Sequence, residues 1–242
     1  MLKSFLNFFL SDDSSHSSFY AVYQKIVKWR STNTYPNPYD LPDTISLPYE
    51  FWERIRGLHK NTRADRLERS VSVYWVDGEL ILSSITTGST SFVRSTSQIR
   101  AAYTPKNKEY FIKEIIVDGK RYSRKEVYYK KVPQKIELQY LFNMHTHPPH
   151  VYNEQTYYGF FSAQDIKSLM GSGAILTGLI TNEFYLIFRT NKVNIDANTL
   201  EDKDITIDSV VNNFGYVLYK GSFGKKLYRV SSNLNSDQSA IN

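Results

Sequence analysis

The stretch Ile136–Met144, IELQYLFNM, constrains the chain more than any other segment. It reads as a strand buried within a sheet, and it runs directly into His145-Thr146-His147-Pro148. Such a strand needs cover on its faces, so the fold must supply a sheet with other elements packed against it. Side chains two apart on a strand project from the same face, and His145 and His147 have that spacing. Pro148 ends the strand, because proline has no N–H to give to the ladder. Both imidazoles therefore stand at a strand's carboxyl end, where sheet proteins commonly open a cleft. So placed, they can reach one metal ion at about 2.0–2.1 Å.

The chain has no cysteine, which removes disulfides, Cys-ligated zinc and thiol catalysis together. Any metal must be held by histidine and carboxylate. The carboxylate candidate is Asp165, in Ser162-Ala163-Gln164-Asp165 at the head of a helix predicted from Ser162 to Met170 and stopped by Gly171 and Gly173. Residues three apart share a helix face, so Asp165 points where Ser162 points. Taken alone, Ser-x-x-Asp reads as a plain helix cap rather than a metal ligand, and His-x-His also occurs on surface strands without metal. The joint pattern, close in sequence, favours a metal site. Two His and one Asp leave a fourth position for water, as in catalytic zinc centres. The same ligands also accept iron, manganese or cobalt.

Around this segment the pattern predicts an α+β chain, a mixed sheet with helices packed against it. Phe19, Val22, Ile26 and Trp29 recur at helical spacing, followed by a Pro-rich stretch from Tyr35 to Asp43. A second helix is predicted from Pro48 to about His59, with Phe51, Trp52, Ile55 and Leu58 on one face. Ser70 to Trp75 alternates, with Val71, Val73 and Trp75 on one face. Asp77-Gly78 then signals a hairpin returning through Leu80 to Ile85. A second hairpin is signalled by Phe111 to Val117, Asp118-Gly119 and Lys120 to Tyr129. Strands are expected at Ala174 to Ile180, Phe184 to Arg189 and Lys226 to Val230, and a helix over Asp204 to Tyr219. The opening MLKSFLNFFL is expected to be an amphipathic arm rather than a signal peptide, joined by a polar linker, Ser11 to Ser18; the end, SSNLNSDQSAIN, is expected to be a tail.

The segment NMHTHPPHVYNEQTYYGFFSAQD resembles the signature of the JAMM (MPN-plus, JAB-domain) metalloproteases, His-x-His-Pro followed by Ser-x-x-Asp on the next helix. The wording FSAQDI is especially similar to bacterial members. The resemblance implies an MPN, cytidine-deaminase-like architecture, with zinc on His145, His147 and Asp165. It also implies that Ser162 steadies the tetrahedral intermediate and that an upstream Glu activates the water. Glu68 fits the Glu's place, since RLERSVSVYW runs straight into the Asp77-Gly78 turn. Glu79 lies past that turn and Glu53 on the preceding helix, and the bland alternative for Glu68 is a surface pair with Arg66 or Arg69. The departure is spacing. Fourteen residues separate His147 from Ser162, about double the family's interval, and they are expected to form a Tyr-rich loop over the cleft with Tyr152, Tyr157 and Tyr158. His150, beyond two prolines, competes only weakly as a ligand, and His16 and His59 look incidental.

These readings place an N-terminal arm and helix at 1–47, a JAMM-like core at 48–190 and a C-terminal extension at 191–242. They imply a zinc-dependent peptidase or isopeptidase acting on a peptide or a ubiquitin-like protein. The alternative is a catalytically inactive MPN-like interaction module. A zinc deaminase is disfavoured, because that chemistry uses a Pro-Cys-x-x-Cys element. The net charge of +6 invites a nucleic-acid partner. However, the basic residues are dispersed, densest around Lys120 to Lys131, with no nucleic-acid motif, and no specific nucleic acid is expected. No apolar run approaches the roughly 18 residues of a membrane span, and a cytoplasmic location is expected.

Overall fold

A computed structural model describes residues 17–76, 79–94, 101–112, 115–117, 120–122 and 126–231. The N-terminal arm, most of the polar linker with His16, the two Asp-Gly turns and the C-terminal tail fall outside the described residues, as do the side chains of 101–137. The architecture is α+β, built on a ten-stranded mixed sheet. In chain order the elements are β1 (Ser17–Ser18), α1 (Phe19–Ser31), β2 (Thr44–Ser46), α2 (Tyr49–Asp65), β3 (Arg69–Val76), β4 (Glu79–Leu82) and β5 (Thr86–Thr87). Two antiparallel pairs follow, β6 (Ala101–Ile112) with β9 (Glu126–Glu137), and β7 (Ile115–Val117) with β8 (Lys120–Tyr122). Next come β10 (Gln139–Thr146), β11 (Pro149–Tyr152), β12 (Gln155–Tyr158), α3 (Ala163–Gly171), β13 (Leu176–Ile180), β14 (Phe184–Phe188), β15 (Val217–Gly221) and β16 (Leu227–Arg229).

The large sheet runs β1-β2-β16-β15-β14-β13-β10-β3-β4, with β5 also on β3. It therefore takes strands from the N-terminal segment, the core and the C-terminal extension alike. The pair β10–β13 is parallel, while β10–β3 is antiparallel. The apolar run expected as one strand is divided at Leu138. Its first residues end β9, and β10 carries the remainder through a register shift between Tyr140 and Phe142.

Both faces of the sheet are covered, which explains why β14 reads FYLIF without polar alternation. Successive residues of β14 serve different layers. Leu186 and Phe188 join the cluster of α1 and α2, and Ile187 joins the cluster of α3 and the turns after β14. The α1 stripe Phe19, Val22, Ile26 and Trp29 is buried as its spacing predicts, and Phe19 lies 6.2 Å from the Phe142 ring on β10. Helix α2 continues past the expected end to Asp65, burying Thr62, and stops where Arg66 adopts φ 59°. β3 departs from the expected alternation: Ser70 and Ser72 are buried as completely as Val71 and Val73, and Arg69 is buried too.

The helix expected over Asp204 to Tyr219 is not formed. A single π turn at Ser209–Asn213 gives way to β15. Gly215 breaks the helix at φ 79°, and a Cβ there would lie 2.5 Å from the Lys192 carbonyl oxygen. Val217, Leu218 and Tyr219 then pair with β14, where their β preference is satisfied. Among the described residues, no helix is long and apolar enough to cross a membrane.

Because α1 shares its cluster with β10, Ile26→Ala should destabilise the whole protein. Ile26 is fully buried, so the expected cost is about 2–5 kcal/mol. Circular dichroism and Trp fluorescence should shift together in one transition; a separate early transition would show that α1 is an accessory.

Candidate metal centre

His145 is the penultimate residue of β10, in register with Leu179 of β13 and opposite Ser70 of β3. It shares the face of Leu179, the layer of α3, and its ring lies 6.3 Å from that of Phe161. His147 follows the strand, yet its N–H still reaches the Ile180 carbonyl at 3.1 Å, so it is held in line with β13. Asp165 comes from the first turn of α3. The chain between β10 and β13 forms a βαβ-type connection, which places the helix N-terminus beside the carboxyl end of the first strand.

The three side chains converge. His145 Nε2 and His147 Nε2 are 3.1 Å apart. Asp165 Oδ1 is 3.2 Å from His145 Nε2, and Asp165 Oδ2 is 3.6 Å from His147 Nε2. Two ligands of a tetrahedral zinc with bonds of about 2.0–2.1 Å are about 3.4 Å from each other, so the observed spacings bracket that value. The donor set, two imidazole nitrogens and a carboxylate oxygen, suits zinc as well as iron, manganese or cobalt. The side chains are only 12%, 13% and 19% exposed.

Further interactions orient these groups. His147 Nδ1 faces the Gly159 carbonyl at 3.4 Å, which assigns it the proton and leaves Nε2 as a lone pair. Asp165 serves two ends at once. Its Oδ2 accepts from the Ser162 N–H at 2.8 Å and the Ser162 hydroxyl at 2.9 Å, and Ser162 Oγ accepts from the Asp165 N–H. This is a full capping box. The cap and the metal reading of Ser-x-x-Asp therefore coexist in one geometry. Asp202, from the C-terminal segment, accepts from the Ala163 N–H at 2.8 Å and fixes the same helix start.

Electrostatics follow from crowding in a dry place. Burial opposes charge on His145, but Asp165 and then Glu68 raise its pKa. Burial, and then His145, push His147 down to about 4. Burial works against ionised Asp165 too, yet the two imidazoles hold its pKa well below the usual carboxylate range. The two imidazoles are thus driven in opposite directions, His145 towards the protonated form and His147 away from it.

Glu68 lines the same cleft, of about 830 Å³, together with Ser70, Phe92, Arg94 and Ser162. It is 7% exposed. Its backbone is gripped by residues 88–89, Glu68 N–H to Ser89 O at 2.8 Å and Gly88 N–H to Glu68 O at 2.9 Å. Gly88 admits no side chain, since a Cβ would lie 2.1 Å from the Phe92 carbonyl oxygen. The surface pairing of Glu68 with Arg69 does not form. Arg69 is bound by Asp65, whose pKa it holds at about 2, and Arg66 caps α2. Burial instead raises the Glu68 carboxyl to about 7, with His145 opposing and Asp165 reinforcing the shift.

The other candidates fall elsewhere. Glu53 pairs with Arg56 on α2, and Glu79 opens β4 at the far end of β3. His150 lines the cleft but stands outside the ligand cluster. His59 packs against Phe223 and Tyr158. The expected Tyr-rich loop is an ordered hairpin, β11–β12, turning at Asn153 and Glu154 with φ 47° and 63°. His150 and Gly159 are its contribution to the cleft wall, whereas Tyr157 faces outward and Tyr158 leans on His59. Comparison with protein-family profiles, curated proteins and solved structures found no match.

The raised Glu68 pKa has a signed consequence. The folded state holds this proton more tightly than the unfolded chain, from 4.5 to about 7. Below pH 4.5 both states are protonated and nothing is lost; stability falls as pH rises through that window. In metal-stripped protein, Glu68→Gln should therefore match wild type at pH 4 and exceed it at pH 8 by on the order of 3 kcal/mol. Denaturant titrations at the two pH values measure it, and an equal difference at both would contradict the buried placement.

Proposed function

We propose that the chain is a JAMM-type zinc peptidase hydrolysing a peptide bond or a lysine isopeptide bond, as its motif resemblance implies. The observation that carries this reading is the convergence of two imidazole nitrogens and a carboxylate at zinc-ligand spacing, beside a buried Glu68 in one cleft. The mixed sheet with helices on both faces is compatible with an MPN, cytidine-deaminase-like architecture.

Zinc on His145, His147 and Asp165 would supply Lewis acidity, polarising a carbonyl and lowering the pKa of water towards about 7. Glu68 is the general base. Its pKa near neutrality suits it to take a proton from the attacking water and return it to the leaving amine. The low exposure of its carboxyl strengthens that exchange by excluding bulk water. Ser162 is the oxyanion donor. At rest its hydroxyl donates to Asp165 Oδ2, and rotation about Cβ–Oγ redirects it to a developing oxyanion, with the cap's backbone bonds kept. Phe92, Arg94, His150 and Phe160 also line this cleft, whose size of about 830 Å³ leaves room for a segment of polypeptide, from a peptide or a ubiquitin-like protein.

The test begins with metal. Protein purified without chelator should contain about one zinc per chain, and His145→Ala and Asp165→Ala should abolish it. Glu68→Gln should retain the zinc and lose about 10²–10⁴ in turnover on peptide and Lys-isopeptide libraries. Zinc without turnover on either library would favour the inactive MPN-like interaction module. Absence of zinc even after add-back would overturn the metal centre.

A further inference from the structure

The last rung between β10 and β3 is His145 opposite Ser70, but β10 does not end its other ladder there. His147 still bonds to Ile180 of β13. Between the two histidines, then, the strand keeps one neighbour and releases the other. Thr146 stands at that point. It is in register with Ile180, a member of the α1–α2 cluster, so it faces the layer opposite to His145. Its hydroxyl accepts the Arg69 N–H at 2.9 Å, a donor that an antiparallel ladder would give to a main-chain carbonyl. The same hydroxyl shares a 2.8 Å bond with Thr62 of α2, which in turn accepts from Arg69 Nη1 at 3.2 Å. Asp65 and the Leu67 carbonyl also accept from Nη1, and the second Asp65 oxygen accepts from Nη2. Thr62 and Thr146 are fully buried and Arg69 is 8% exposed, so water cannot substitute for a lost partner.

Arg69 directly follows Glu68, and Thr146 lies between His145 and His147. We infer that Thr146 is a positioning residue: its hydroxyl replaces a rung of the sheet, sets how far β3 parts from β10, and so fixes Glu68 against the two histidine ligands. The inference rests on the metal-site reading but adds a residue that touches neither metal nor substrate. The hydroxyl, not the bulk, does this, so serine replaces threonine and valine does not.

Three proteins decide it: wild type, Thr146→Val and Thr146→Ser, each measured for zinc affinity by chelator competition and for the visible absorption of the cobalt(II)-loaded form. Thr146→Val is expected to bind zinc about 10-fold or more weakly with an altered cobalt spectrum, while Thr146→Ser stays within about 2-fold with the wild-type spectrum. Thermal stability alone would fall for a purely structural residue. Wild-type zinc affinity and spectrum in Thr146→Val therefore overturn the positioning role, as do equal losses in both variants. Hydrogen exchange in the wild type covers the case in which Thr146→Val does not fold. The Arg69 amide is expected to be as protected as that of Val71, and rapid exchange overturns the proposal. A wild type that takes up no zinc overturns the peptidase reading and this one with it; zinc held equally by wild type and Thr146→Val overturns the positioning alone.

Discussion

Three electron-rich groups, two imidazoles and a carboxylate, offer atoms that lie within 4.8 Å of one another, on side chains mostly withdrawn from water. Everything else in the structure has to make that crowding tolerable. Lone pairs brought together in a low-dielectric place repel unless a cation or a proton lies among them. The opposite shifts of His145 and His147 express this constraint: Asp165 and Glu68 favour a proton on one ring, while burial and the neighbouring imidazole disfavour it on the other. The arrangement persists because the backbone dictates it. β10 is a central strand paired on both edges, and the αβ connection to β13 can only bring the head of α3 to the same end. A site assembled from loops would relax apart; this one is pinned by a sheet.

The capping box shows how closely folding and chemistry are joined. Asp165 sits at the third position of α3, where its carboxylate satisfies the Ser162 N–H and complements the positive end of the helix dipole. Its other oxygen meets His145. One carboxylate thus starts a helix and completes the His-His-Asp cluster. Asp202 adds a bond to the Ala163 N–H from outside the motif. The helix start is therefore rigid before any ligand binds, which reduces the entropy lost when the site is occupied.

The sequence was legible where periodicity and chemistry coincided. Phe19, Val22, Ile26 and Trp29 announce α1, the paired histidines announce a strand's end, and Ser162-x-x-Asp165 announces a helix start; all lie where their spacing puts them. Legibility failed where distant chain decided the outcome. Nothing local in β3 says that Arg69, Ser70 and Ser72 will be buried, because α2 and β10 bring the cover and the partners. Asp202 carries no local sign of capping a helix 39 residues earlier. The helix expected over Asp204 to Tyr219 was overruled by Gly215 and by an open sheet edge at β14. The hairpin at 149–158 was legible in principle, since His-Val-Tyr and Gln-Thr-Tyr flank a two-residue turn. Asn153-Glu154, however, lacks the glycine that usually marks such a turn.

That hairpin explains how fourteen residues between His147 and Ser162 still leave His145, His147 and Asp165 together. A long flexible loop would let the helix head drift and add closure entropy to every placement of Asp165. Folding ten of the fourteen residues into one hairpin, β11, β12 and their two-residue turn, restores a short effective connection, because the hairpin's two ends lie side by side, Pro149 opposite Tyr158. What remains between the hairpin and the helix is Gly159, Phe160 and Phe161, and each is anchored. Gly159 offers its carbonyl to His147, Phe160 packs on Tyr185, and Phe161 is buried against His145. The hairpin therefore behaves as an ornament on a short connection. Its outer strand faces solvent, while its base holds the tautomer of His147.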